Sequence, residues 1–288
     1  MYEAFYGLNA KPFSLYPDPE FLYWASPHSL AFAMLEYGIA NHAGFTVITG
    51  EIGAGKTTLI KHLLTKLPGN ITVGLVSNFQ GDRGDLLSWL LMAFGQDFEG
   101  QSYVGLYRRF EDFLIKQHAR NQRTVLIIDE AQNLGVRTLE ELRTMSNVND
   151  GGQELLQIIL SGQPELKTLL NRPELVQFAQ RISSDFHLGL LAEKEIPAYI
   201  DHRLTVAGAT RQLFSDSVCK MIALNTKGTP RLINLLCDTC LMYGFATGAQ
   251  IIRPQILLSV LKDKNKFGAV PTKLQALKDA VQSLQTMS

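Results

Sequence analysis

The segment GEIGAGKT, Gly50 to Thr57, satisfies G-x-x-x-x-G-K-[ST] at every fixed position. The glycines let such a loop curl until its consecutive N–H groups face phosphate oxygens, from Gly50, Glu51, Ile52, Gly53, Ala54 and Gly55 on to Lys56, Thr57 and Thr58. A helix beginning there adds a partial positive charge. In that setting Lys56 reaches the β- and γ-phosphates of a nucleotide such as ATP, and the Thr57 hydroxyl ligates Mg²⁺. Downstream, LIIDEAQ (126–132) closes an apolar run with two acids. Taken alone, Asp129 and Glu130 would cap the following helix. With a phosphate loop upstream, Asp129 is expected to hold the Mg²⁺ shell and Glu130 to orient and deprotonate an attacking water. Two adjacent acids favour hydrolysis over mere nucleotide holding.

Three further positions fit the same chemistry. IILSGQPEL (158–166) ends in polar groups where neighbouring strand ends bear phosphate chemistry. Ser161 or Gln163 would sense the γ-phosphate or position the water there, and the competing reading is a simple turn. KGTPRLINLLCD (227–238) sets Pro230 at a helix start with Arg231 next to it. An arginine is disfavoured there by the helix dipole, which argues for a role toward the nucleotide. Arg181, in LVQFAQRISSDF, has the planar fork that suits phosphate and can act across an interface. On the residues alone it is as well read as a surface arginine, and Arg172 competes for the role.

These residues require elements to hold them. Short β-branched or apolar runs read as buried strands at 45–50, 71–76, 124–129 and 155–161, with a weaker one at 185–190. Helical periodicity places helices near 29–41, 56–67, 82–94, 104–120 and 136–147. Strands alternating with helices predict an α/β fold with a parallel sheet. After residue 190 the pattern is helical throughout, at 193–207, 215–224, 231–245 and 253–261. The expected organisation is an aromatic and proline-rich segment (1–42), an α/β core (43–190), an all-helical lid (191–262), and a tail (263–288). In the tail Leu274, Leu277, Val281 and Leu284 form a short amphipathic stripe, read as a docked helix or frayed end, with a partner or self-association helix as the alternative.

Composition narrows the class. The 288 residues carry 27 basic and 27 acidic side chains, so no global basic field exists to hold a nucleic acid. With 46% hydrophobic and 19% charged residues the chain is globular. Three cysteines do not make a disulfide framework and suit a reducing compartment. No stretch reaches the roughly 18 apolar residues of a membrane span, and the N-terminus lacks a secretory signal. Cys237 and Cys240, a C-x-x-C pair inside an apolar helix, read as core packing, and His187 and His202 receive no role. Arg108, Arg109, Lys116 and Arg120 beside Phe110, Phe113 and Leu114 read as a solvated helix face, with a contact for DNA or an acidic partner as the alternative. Lys262, Lys264 and Lys266 are a weaker version of the same pattern.

Together the phosphate loop, LIIDE, SGQPEL, the late QRI and the G-T-P-R motif resemble an AAA+ ATPase. To about residue 262 the chain is similar to the ExeA/GspA-type secretion ATPases, including the opening MYEAFYGLNAKPFSLYPDPEFLYWASPHSLAFAMLEYGI, GFTVITGEIGAGKTTL and LIIDEAQNL. Within that family the sequence resembles most the soluble ATPases of exosortase and exopolysaccharide loci, or those of mannose-sensitive pilus biogenesis. The resemblance implies a P-loop NTPase AAA+ core, a five-stranded parallel sheet in the order 5-1-4-3-2, with a C-terminal all-helical lid. It implies Lys56 and Thr57 as Walker A, Asp129 and Glu130 as Walker B, Gln163 with Ser161 as sensor 1, Arg181 as arginine finger and Arg231 as sensor 2. The implied cofactors are ATP and Mg²⁺, with the aromatic N-terminal segment flanking the adenine side. The implied partners are further copies of the chain, in a ring or filament, and an envelope secretion, pilus or exopolysaccharide machine. Secretion members continue into a membrane span and a periplasmic part, whereas this sequence has no apolar span up to Ser288. The expected location is therefore cytoplasmic, with peripheral association at the inner membrane left open. The alternative is a DNA-binding ATPase that regulates target selection by a transposase, which the zero net charge disfavours.

Overall fold

The computed structural model describes residues 1–77, 79, 85–150 and 152–267. The chain divides into two compact units, one of Ser26–Ile52 with Lys56–Gly189, the other of Met1–Ala25, Gly53–Gly55 and the residues from Leu190 onward. The stripe expected at Leu274–Leu284 lies outside the described residues, as do residues 82–84, where a helix start was expected.

The first unit is built on strands β1 (Phe45–Gly50), β2 (Ile71–Val76), β3 (Arg123–Ile128), β4 (Leu156–Gly162) and β5 (Ile182–Leu188). They form one parallel sheet in the order β2-β3-β4-β1-β5, the order that the resemblance implies. β1 and β4 are buried at every residue and β3 at all but its first, which is why they read as unbroken apolar runs. The edge strands differ: Leu75 is exposed on β2, and Ser183 and Asp185 are exposed on β5.

The longer helices of this unit are α1 (Ser26–Ala40), α2 (Lys56–Lys66), α3 (Asp85–Ala93), α4 (Tyr103–Ala119), α5 (Val136–Met145) and α6 (Pro164–Leu170). α1 begins three residues before its expected start because Pro27 falls in the first turn, where a missing N–H costs little. α4 is capped by Ser102, whose Oγ accepts the Gly105 N–H at 3.3 Å. It buries Leu106, Phe110, Phe113 and Leu114 at helical spacing. Each such side chain contributes about 1.5–3 kcal/mol of transfer free energy. α1 packs against β5, α2 against β1, α3 against β2 and α4 against β3. At the start of β3, Arg123 donates to the Gln157 side-chain oxygen at 2.7 Å and to the Ile39 carbonyl, tying β3, β4 and the end of α1 together.

The second unit contains helices α7 (Ile196–Val206), α8 (Asp216–Thr226), α9 (Pro230–Ala246) and α10 (Pro254–Phe267). Its core draws Tyr2, Tyr6, Phe13 and Phe21 from the aromatic N-terminal segment together with Leu204, Ile222, Ile233 and Leu257. The Tyr2 hydroxyl donates to Asp238 at 2.5 Å, and the Tyr6 hydroxyl to the Ala249 carbonyl at 3.1 Å. Cys237 and Cys240 are free and fully buried on α9, and burial pushes both thiols well above their ordinary range. Among the described residues no helix is long and apolar enough to cross a membrane.

Candidate active site

The phosphate loop leaves β1 at Gly50 and enters α2 at Lys56. Gly53 and Gly55 have φ of 78° and 106°, a left-handed backbone that a side chain would strain. Ile52 is 65% exposed and Glu51 is exposed, whereas Ala54 is buried. Lys56 is buried at the first turn of α2 and folds back on the loop, donating from Nζ to the Gly50 carbonyl at 2.6 Å and to that of Glu51 at 3.1 Å. None of the ion pairs among the described residues includes it. Burial lowers its pKa, and the nearby Glu130, Asp129 and Glu51 carboxylates only partly offset that. A buried cation bonded only to carbonyls suits an incoming anion. Thr58, the next residue but one, is half-buried on α2.

Asp129 stands immediately past the end of β3 and gathers the neighbouring strand ends. Its Oδ2 accepts the Thr57 hydroxyl at 2.8 Å, and its Oδ1 accepts the Ser161 hydroxyl at 2.7 Å. Its N–H donates to the Val76 carbonyl at 2.9 Å, and its Oδ1 also takes the Glu130 N–H at 3.1 Å. Thr57 and Asp129 thus place hard oxygen donors side by side, a donor set that fits Mg²⁺.

Glu130 takes a left-handed backbone, φ 57° and ψ 38°, which for a residue with a side chain costs on the order of 1–3 kcal/mol. Its Oε2 accepts two amides, Gln132 Nε2 at 2.6 Å and Gln163 Nε2 at 3.1 Å. Burial alone would raise the Glu130 pKa. The two amide hydrogen bonds and the Lys56 ammonium outweigh it and hold the carboxyl below its ordinary value, so it is ionised at neutral pH. The structure therefore brings Thr57, Asp129, Glu130, Ser161 and Gln163 into one hydrogen-bonded network, with the Lys56 ammonium close enough to help hold the Glu130 carboxyl down. It also adds Gln132, to which the sequence reading assigned nothing. The only sequence signal for Gln132 is an amide two places after paired acids at a strand end.

Two arginines stand apart from that network. Arg181 is half-buried beside the C-terminus of α5, with Nη1 donating to Ser146 Oγ at 3.0 Å and to the Arg143 carbonyl at 3.5 Å. Arg172 is exposed at the start of a 3-10 turn, Pro173–Leu175. In the second unit, Arg231 heads α9 just after Pro230. Its N–H donates to the Gly53 carbonyl at 3.2 Å, and a Cβ on Gly53 would lie 2.6 Å from that of Arg231.

Residues 39–170 match the AAA domain family. Over 253 residues, 88% of this chain, the sequence is 38% identical to general secretion pathway protein A of Aeromonas hydrophila. The chain spans about half, 46%, of that protein's length. The fold is similar to that of the Aeropyrum pernix ORC2 protein in ADPNP and ADP complexes, with a TM-score of 0.69, 16% identity, and 88% and 72% of the two chains covered. It is also similar to Cdc6p of Pyrobaculum aerophilum, with a TM-score of 0.66, 16% identity, and 88% and 70% coverage. At such identities the solved structures speak for the P-loop AAA+ fold alone.

Proposed function

We propose that this chain, a P-loop ATPase with an AAA domain and a relative of general secretion pathway protein A, couples Mg²⁺-dependent ATP hydrolysis to the assembly or regulation of a bacterial envelope export system. The observation that carries the hydrolytic reading is the convergence on Asp129. Hydroxyls from the phosphate-loop helix and from β4 both bond its carboxylate, and Glu130, whose carboxylate accepts two amides, follows it directly.

In this reading the loop amides from Gly50 to Thr58 cradle the triphosphate, and Lys56 exchanges its loop carbonyls for β- and γ-phosphate oxygens. Mg²⁺, held by Thr57 and through Asp129, would neutralise charge on those oxygens when bound. Glu130 orients a water toward the γ-phosphorus and accepts its proton as the oxygen attacks and the bond to the bridging β-phosphate oxygen breaks, with ADP as the leaving group. Gln163 and Ser161 lie at the end of β4, where they register the γ-phosphate as sensor 1. Arg231 is assigned as sensor 2 on its contact with Gly53.

Arg181 is the proposed arginine finger, acting on ATP bound by the next copy in a ring or filament. Its support is the planar fork and the resemblance, and Arg172 is the competitor. The export role is supported by the 38% identity to the secretion protein. The proposed location is the cytoplasm, peripheral to the inner membrane, where the partner machine stands. The test is mass photometry of the purified chain with and without a non-hydrolysable ATP analogue, paired with phosphate release against protein concentration. Larger species with the analogue, and specific activity that rises with concentration, are expected. A monomer in both conditions, with activity strictly proportional to protein, would overturn the shared-interface reading.

A further inference from the structure

We propose that Gln132 is a positioning residue for hydrolysis, bridging the Glu130 carboxylate to the backbone of Gln163 and so setting where that carboxylate points. The proposal rests on the reading of Glu130 as general base.

The geometry is a two-ended strut. Gln132 Nε2 donates to Glu130 Oε2 at 2.6 Å, while Gln132 Oε1 accepts the Gln163 N–H at 3.0 Å. One side chain thereby links the residues following β3 to those following β4. Its amide orientation is dictated by its partners: reversed, an oxygen would face the carboxylate and an NH₂ would face an N–H. Gln132 lies in the 3-10 turn Ala131–Asn133, directly after the left-handed turn at Glu130.

The seat for this amide is built into β4. A Cβ on Gly162 would lie 2.9 Å from Gln132 Oε1, besides 2.8 Å from Leu166 Cδ2. Gly162 is not among the residues with positive φ, so what a side chain there would meet is close approach, with the Gln132 and Leu166 side chains having to give way, rather than backbone strain. Gln163 Nε2 adds a second donor to the same carboxylate oxygen at 3.1 Å. Among the described residues both side-chain donors to Glu130 meet Oε2, which leaves the Oε1 lone pairs to accept a proton. A general base works only from a defined position, and a displacement of about 1 Å can cost about a hundredfold in rate. Holding Oε2 from two sides aims Oε1 without occupying it.

The test uses the full chain with Gln132→Met, which keeps the side-chain length and removes both hydrogen-bonding ends. Glu130→Gln and the double variant accompany it. Steady-state kcat and KM for MgATP are measured with the affinity for a fluorescent ATP analogue and the melting temperature. Gln132→Met is expected to lower kcat about tenfold while KM and analogue affinity stay within about twofold. In the Glu130→Gln background the same change should leave the residual turnover where it was, because the strut acts through the carboxylate. Gly162→Ala, which crowds Gln132 from the other side, should give the same split and covers the case in which Gln132→Met folds poorly. The proposal is overturned if Gln132→Met turns over at or above the wild-type rate while Glu130→Gln is inactive. It is equally overturned if kcat and nucleotide affinity fall together, or if the double variant loses a further tenfold. Wild-type turnover by Glu130→Gln would remove the general-base reading itself and this inference with it.

Discussion

Among the described residues each unit of the protein buries one lysine or arginine, and the two are used in opposite ways. Arg203 in the helical unit is 7% exposed, and Lys56 in the α/β unit is 6% exposed. Arg203 spends its donors internally, on the Pro12 carbonyl at 2.7 Å, the Tyr199 hydroxyl at 3.2 Å and the Ser14 carbonyl at 3.4 Å. Its guanidinium also lies 5.0 Å from the centroid of the Phe21 ring, a cation–π contact. Tyr199 passes the chain of bonds on to Asn234 at 2.7 Å. Lys56 instead holds two carbonyls of a glycine-rich loop, with carboxylates close by. A buried cation saturated by rigid partners fastens a fold. One parked on carbonyls of a loop that is itself a phosphate cradle can trade them for a ligand.

That contrast can be broken most directly by exchanging each cation for methionine. Lys56→Met should lower MgATP affinity at least about a hundredfold, through loss of charge-assisted hydrogen bonds, and abolish turnover. Its melting temperature should hold or rise, because an apolar group replaces a desolvated ammonium. Arg203→Met should do the reverse, costing about 3 kcal/mol of folding stability by urea denaturation while nucleotide affinity is kept. The contrast fails if both variants lose both properties. Tyr199→Phe sharpens it on a smaller scale, since Arg203 and Asn234 each lose a partner, and about 1–2 kcal/mol is expected. Smallest in stability is Arg181→Ala. It removes a half-buried bond to Ser146 worth under about 1 kcal/mol, yet it should abolish the dependence of specific activity on protein concentration.

The same contrast explains how much could be read from the sequence. The phosphate loop is contiguous, so GEIGAGKT declares itself, and the buried strands β1, β3 and β4 announce themselves as apolar runs. β5 was expected from Asp185, but it begins at Ile182, because an edge strand with exposed Ser183 and Asp185 gives a broken pattern. Gln132 was illegible because its role depends on Glu130 turning left-handed and on the end of β4 arriving beside it. Arg203 was illegible for the same kind of reason. Its spacing on α7 puts it on the same face as Ile196, Tyr199 and Ile200, but the carbonyls that accept its donors lie 191 and 189 residues away.

In the proposed mechanism Glu130 turns a nucleotide-binding loop into a hydrolytic site. Phosphate release from MgATP by Glu130→Gln, measured beside its nucleotide affinity, tests that claim most directly. We predict affinity within about threefold of wild type and turnover lower by roughly 10²–10⁴, the usual worth of a general base. Turnover within a few-fold of wild type, with affinity intact, would contradict it.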